Sequence, residues 1–438
     1  MNPKCLFIVS IIMAAFVWRA NAQTYDTNGD FVQTFAGSGF SGYLNGVGQQ
    51  TMFDNPSFVV SDSNSNLYVW DSGNEVIREI TPNETVSTFA GGGTELDSGY
   101  GTNANLPTPG GMTIDHLGAL WMAANPFDSG GGIGYLIRVG SNGYVSSTNV
   151  LKFTYSIEGG FELVSGMCVD SQNDIYYTDF IGNRIYQYNP NSGKTEIFAG
   201  SGNSGYLDGN GDFTDFNRPA TLACDEANNI YVWDSGNSLI RKIDPGQNVT
   251  TFAGNYYSTS ASNIDGIGTN AVFYFFGNLN PYFNYIPQMC CDNDGNLYLV
   301  CRDCIRKISA TGNVVTMAGS FTQTGYTNGF GSQALFNQAD GICTAGGTIC
   351  VADSGNERIR DITFNPQAQI VSGANLGIGT YAGVTITGAV GRTYQIQSSP
   401  DLTNWTTRAT VLLTSSPYLW FDLNPVAGNK FYQALLLP

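Results

Sequence analysis

The stretch Asn66-Leu-Tyr-Val-Trp-Asp-Ser-Gly-Asn-Glu-Val-Ile-Arg-Glu-Ile80, followed by Val86-Ser-Thr-Phe-Ala-Gly91, decides the fold. Apolar, β-branched and aromatic residues alternate with polar ones on both sides of an Asp-Ser-Gly-Asn turn, and a further run ends in Phe-Ala-Gly. This alternation, broken by turn residues, predicts short antiparallel strands. Phe-Ala-Gly recurs at Phe35, Phe89, Phe198 and Phe252, with Met317-Ala-Gly as a variant, at spacings of 54, 109, 54 and 65 residues. The gap of 109 holds two units, the diverged one near Phe153. A period near 54 makes six units and predicts a repeat architecture.

The units share one grammar. An apolar run ends at Asp62, Asp115, Asp170, Asp225 or Asp292; the sixth unit lacks the aspartate. A second strand follows, as in Asp174-Ile-Tyr-Tyr177 and Asn296-Leu-Tyr-Leu299. Then come the turns at Asp71, Asp234 and Asp353, an Ile-Arg strand (Ile77-Arg78, Ile240-Arg241) and the Phe-Ala-Gly strand. Four short strands per unit make a propeller blade. The grammar resembles the NHL-repeat β-propeller family over residues 31–363, which implies a six-bladed ring.

Blade six stops at Arg360-Asp-Ile362, one strand short, while Asp30-Phe-Val-Gln-Thr-Phe-Ala-Gly37 carries a fourth-strand pattern ahead of blade one. Phe31–Thr34 is therefore expected to close the ring on blade six and remove its free edges, with Gln369–Ser372 as the rival. The expected fold class is all-β: a six-bladed β-propeller over 23–365 closed by an N-terminal strand, a linker over 366–377, and a small C-terminal β-sandwich over 378–438. The run Thr393 to Trp405, with Phe431-Tyr-Gln-Ala-Leu435, resembles a C-terminal module of exported bacterial proteins, which implies attachment or export.

Residues 1–22 read as a signal peptide: Lys4, an apolar run from Cys5 to Val17, and the small-x-small box Ala20-Asn21-Ala22. The mature chain is expected to be exported (secreted, periplasmic or at the cell surface), monomeric and without a transmembrane segment. The formal net charge of −17 over the full sequence argues against nucleic acid and anionic membranes, whose phosphates it would repel. Eight cysteines follow the signal. Cys343-Thr-Ala-Gly-Gly-Thr-Ile-Cys350 reads as a hairpin that sets Cys343 opposite Cys350, a geometry suited to a disulfide.

The single histidine, His116, removes any site that needs two imidazoles, and it falls in a turn. Amidating lyases and streptogramin-type lyases look similar in fold but use histidines, so their chemistry is not expected here. Arg78, Arg138, Arg241, Arg306 and Arg360 are read as one position in five blades, and Asp71, Asp179, Asp234 and Asp353 as another, serving turns and charge pairs.

Binding is placed on the loops before each first strand, Ser41-Gly-Tyr43, Ser204-Gly-Tyr206 and Thr324-Gly-Tyr326, expected at the same end as the Asp-Ser-Gly-Asn turns. Tyr43, Tyr206 and Tyr326 are candidates to stack on a carbohydrate or a protein partner; the alternative is that they staple blades. Departures from the repeat add Phe127 and Tyr135 in blade two, and Tyr274, Phe276, Tyr282 and Tyr285 in blade five. Asp208-Gly-Asn210-Gly-Asp212 imitates the start of a calcium loop but lacks its sixth-position glycine and twelfth-position glutamate; no other cofactor is expected. The first reading is an exported, non-enzymatic binding protein. The alternatives are a carboxylate- or calcium-dependent hydrolase or lyase working in the central channel, and a structural surface protein.

Overall fold

The computed structural model describes residues 30–96, 98–124, 135–148, 164–258, 263–274 and 288–364, and the segments 382–386, 393–399, 404–412, 418–422 and 431–436. The signal segment, the linker, the rival closing strand, Phe127, Phe276, Tyr282 and Tyr285 lie outside them. The described residues fall into two compact units that part between Phe364 and Ala382.

The first unit is a six-bladed β-propeller. Its inner strands, Pro56–Ser61, Pro109–Ile114, Met167–Val169, Pro219–Cys224, Met289–Cys291 and Ala339–Ala345, neighbour one another in that cyclic order. Each begins an antiparallel meander; blade one continues through Leu67–Asp71, Val76–Ile80 and Thr85–Gly91. Every residue of Leu67–Asp71 is buried, because the blade packs on both faces. On one side Trp70, Ile77 and Ala90 meet Met112, Leu120 and Met122 of blade two. On the other, Val59, Leu67 and Val69 meet Cys350, Ala352 and Ile359 of blade six.

The ring closes as the grammar requires. Phe31–Ala36 pairs antiparallel with Arg358–Thr363, setting Phe31 opposite Thr363 and Thr34 opposite Arg360.

A further strand was not legible in advance. Gly46–Val47 adds to the outer strand of blade one, and Ser98–Tyr100, Gly209–Asn210, Gly266–Ile267 and Gly329–Phe330 do the same for blades two, four, five and six. These two- and three-residue pieces cap edges that would otherwise offer unpaired backbone. The chain then turns sharply at Gly48, whose φ of 54° needs glycine and whose N–H reaches Glu84 O at 2.9 Å. The loop carrying Tyr43 thus runs from the end of one blade to the outer edge of the next, rather than lying wholly on one face.

One alignment needs correction. Trp121 pairs with Arg138 and Met122 with Ile137, whereas Val69 pairs with Arg78 and Tyr68 with Glu79. Arg138 therefore matches Glu79, and Ile137 takes the buried arginine position. The Arg138 guanidinium lies over the Trp121 ring at 5.8 Å, much as Lys242 lies over Tyr231 at 5.5 Å. In blade three the position holds Tyr186, stacked on Tyr177. The buried arginine belongs to blades one, four, five and six.

Cys343 does sit opposite Cys350 in the ladder, but no disulfide joins them. Both are free thiols inside an apolar cluster with Phe53 and Ile359. Burial also pushes the Cys168, Cys290 and Cys304 thiols well up, which makes them poor nucleophiles.

In the second unit, Ala382–Ile386 pairs with Tyr418–Asp422, and Thr393–Ser399 lies between Thr406–Leu412 and Phe431–Leu436. Tyr394, Ile396 and Ser398 alternate inward along the middle strand. Among the described residues no helix is long and apolar enough to cross a membrane.

Candidate binding face

The loops of blades one, four and six are each fastened by a buried ion pair. Arg78 Nη1 meets Asp71 Oδ2 at 2.7 Å, and both side chains are wholly buried. The same guanidinium donates to Met52 O and Leu44 O, and to Asn45 Oδ1 at 2.7 Å. Asn74 of the turn donates to Asp71 and to Gly42 O, which ties the start of the loop to the turn. Blades four and six repeat this with Asp234, Arg241 and Asn237, and with Asp353, Arg360 and Asn356. The aspartates and arginines therefore hold the scaffold. Burial still outweighs the pairing: it raises the Asp71 and Asp353 carboxyls and pushes Asp234 up to about 6. In blade five Cys301 replaces the aspartate, and Arg306 turns to Asp265 at 3.1 Å and Asn263 at 2.9 Å.

The three loop tyrosines divide. Tyr43 shares a hydrogen bond with Thr88 Oγ1 at 2.6 Å and lies by Arg78, 5.0 Å from ring centre to guanidinium. Tyr326 does the same with Thr34 at 2.7 Å, its ring 3.7 Å from the Arg358 guanidinium and 4.9 Å from that of Arg360. Tyr206 makes neither contact. Its hydroxyl meets that of Tyr257 at 2.8 Å, and its ring stacks on Tyr256 with centroids 4.0 Å apart. Tyr257 stands edge-on to both, 5.2 Å from Tyr256 and 6.4 Å from Tyr206. All three rings reach solvent, and Tyr257 is 78% exposed.

One residue nearby differs with it. Asn45 and Asn328 stand two positions after Tyr43 and Tyr326, but Asp208 stands after Tyr206. The Asp208 carboxylate accepts from Thr251 N at 3.1 Å and Thr251 Oγ1 at 3.2 Å, and pairs with Arg241 at 2.7 Å. Thr251 is the counterpart of Thr88 and Thr34, each opposite its blade's arginine. Asp208 thus holds Thr251 through both its N–H and its hydroxyl, contacts that neither Asn45 nor Asn328 makes in full. Blade five behaves alike: Asp265 takes Thr316, and no tyrosine precedes it.

Tyr135 pairs with Ala124 and packs on the core between blades one and two. Tyr274 exchanges two backbone hydrogen bonds with the Asn263 side chain, at 2.8 and 3.0 Å. In the calcium-like segment Asp208 faces Arg241, while Asn210 turns to Gly246 O at 2.7 Å. Among the described residues no group of three or more His, Cys, Asp or Glu side chains is placed to hold a metal. His116 bridges blades two and three, its N–H on Asn173 Oδ1 at 2.9 Å and its Nε2 3.1 Å from Asp170 O.

No family model matches the chain. A curated relative, the Arabidopsis thaliana chloroplastic protein SUPPRESSOR OF QUENCHING 1, is 25% identical over 343 residues, which is 75% of this chain and only 27% of the plant protein. A solved Bacteroides thetaiotaomicron protein of unknown function is 18% identical, with 76% of each chain covered and a TM-score of 0.56. A solved auxiliary nutrient binding protein from Bacteroides ovatus is also 18% identical, with 77% of each chain covered and a TM-score of 0.54. At this identity the two solved structures speak to the fold alone, and it is that of a six-bladed propeller.

Proposed function

We propose that the chain is an exported NHL-type propeller that binds a carbohydrate without transforming it, through the Tyr206–Tyr256–Tyr257 cluster. The observation that carries this reading is the release of Tyr206 from the brace that holds Tyr43 and Tyr326. Three converging aromatic rings, with the Tyr206 and Tyr257 hydroxyls bonded to each other, form an apolar platform with a polar rim. Such a platform suits the apolar face of a sugar ring, and its tyrosines lose little side-chain freedom on binding. The export pattern in residues 1–22 and the nutrient-binding name of a fold neighbour agree with the reading. The test is an array of glycans and cell-wall fragments probed with residues 23–438 and with the Tyr257→Ala and Tyr206→Ala variants. Specific binding by the parent chain that both variants lose while remaining folded supports the reading. Binding that survives both substitutions moves the site elsewhere, and an empty array removes the sugar.

A further inference from the structure

Asp340 is the second residue of the inner strand of blade six, where the ladder slips by one residue between Ala339 and Gly341. The same slip in the other blades falls at Gly110 and Ala220 and spans Ser57, so these positions ring one end of the inner strands. Among those described, Asp340 alone is charged. Its backbone is fixed from both sides. Gln288 N–H of blade five donates to Asp340 O at 3.1 Å, and a Cβ on the adjoining Gly341 would lie 2.1 Å from Ser57 O of blade one. One carboxyl oxygen, Oδ2, lies 3.2 Å from Ser354 Oγ, whose single proton is also claimed by Pro56 O at 2.5 Å. The other, Oδ1, is sealed from solvent and has no hydrogen-bond partner.

A buried acceptor without a donor is costly, and a carboxylate more so. The neighbouring elements bring Gln288, Ser354 and Ser57 to this point, and none carries a charge. Burial accordingly lifts the carboxyl to about 7, opposed only by the Ser354 hydrogen bond.

We propose that Asp340 is a second ligand site, at the mouth of the propeller channel, whose Oδ1 takes an N–H donor from a cationic nitrogen, a primary ammonium group. The residue as a whole keeps some exposed surface, and rotation about the broad terminal torsion of the carboxyl, at the expense of the long Ser354 contact, is the movement by which Oδ1 meets a ligand. A cation restores the missing charge as well as the missing donor, which a neutral hydroxyl does not. The chain's net charge of −17 concentrates cations around it. A bare metal ion favours several charged ligands, and among the described residues Asp340 belongs to no group of three or more His, Cys, Asp or Glu side chains. The site lies on blade six and does not rest on the tyrosine cluster of blade four.

The test uses the whole mature chain and a hydrophobic carbodiimide, which labels protonated buried carboxyls, with Asp340 read by peptide mass spectrometry across pH 5–9. The probes are putrescine, a Gly-Lys-Gly peptide, tetramethylammonium and glucose, each at millimolar concentration. Putrescine or the lysine peptide is expected to protect Asp340 and to move the labelling midpoint down by about one pH unit, a tenfold change in proton affinity. Protection by putrescine alone identifies a free amine as the source, and protection by the peptide a lysine side chain. The Ser354→Ala variant, which keeps Asp340, is expected to retain the protection. Failure of both ammonium probes overturns the proposal. So does equal protection by tetramethylammonium, which has no N–H, or by glucose, which has no charge.

Discussion

In blades one and six the loop tyrosine lies beside a buried arginine, with its hydroxyl on the outer-strand threonine; in blade four the same tyrosine has left both partners and joined Tyr256 and Tyr257. The backbone grammar is shared, so the difference comes from the side chain two positions on. Where it is asparagine, its contact with the threonine in blade one is long, 3.4 Å, and the tyrosine hydroxyl makes the short one at 2.6 Å. Where it is aspartate, the carboxylate takes the threonine and frees the ring. A repeat protein can thus convert a structural brace into a surface feature by exchanging one amide for one acid, without altering the fold.

The largest expected effect tests the brace itself. Arg78→Met or Arg360→Met leaves a buried aspartate unpaired and should cost about 3–5 kcal/mol in urea unfolding. Arg138→Met, which loses only a cation–π contact, should cost about 1 kcal/mol or less. Equal losses would return Arg138 to the buried row. Next is pH. Asp234 and Asp340 bind protons more tightly folded than unfolded, so they favour the native state below about pH 4 and lose that contribution as pH rises through about 6 and 7 respectively. The melting temperature should therefore fall from pH 5 to pH 8, and Asp340→Asn should recover roughly 2–4 kcal/mol at pH 8 and much less at pH 5. A flat profile in the parent chain would contradict the burial of these carboxyls. Third, Asp208→Asn should let Tyr206 return to Thr251, abolish the near-ultraviolet dichroism of the stacked pair and weaken ligand binding about tenfold. Unchanged dichroism would show that Tyr256, rather than Asp208, holds Tyr206. The smallest effect is the loss of one hydroxyl: Tyr326→Phe should cost about 1 kcal/mol and Tyr206→Phe about half that or less.

The ring was legible because each blade writes its strands locally, in turn residues and alternation. Closure was legible because a fourth-strand pattern stood alone at Phe31. Arg138 was misplaced because Ile-Arg served as the marker, although Ala124 stands where the paired aspartate should be; the missing acid was the available signal. The edge strands escaped notice because two residues carry no periodicity. Tyr256 and Tyr257 lie in a connection outside the repeat, and only the doubled tyrosine after Gly254, where Ser38 and Ser201 follow the matching glycines, distinguishes it. The orphan oxygen of Asp340 depends on where three blades meet, which no local pattern encodes.

Phe31 and Thr363 touch across 332 residues of chain. The first propeller strand to leave a ribosome or a translocation pore is therefore the last to find its partner. Until blade six arrives, Phe31–Ala36 is an open edge and five blades form an incomplete arc. Such distant pairing slows assembly. It also leaves a choice at high concentration, because the waiting strand fits the blade six of a second copy as well as its own. Crowded refolding should therefore yield strand-swapped dimers, and dilution should yield closed rings.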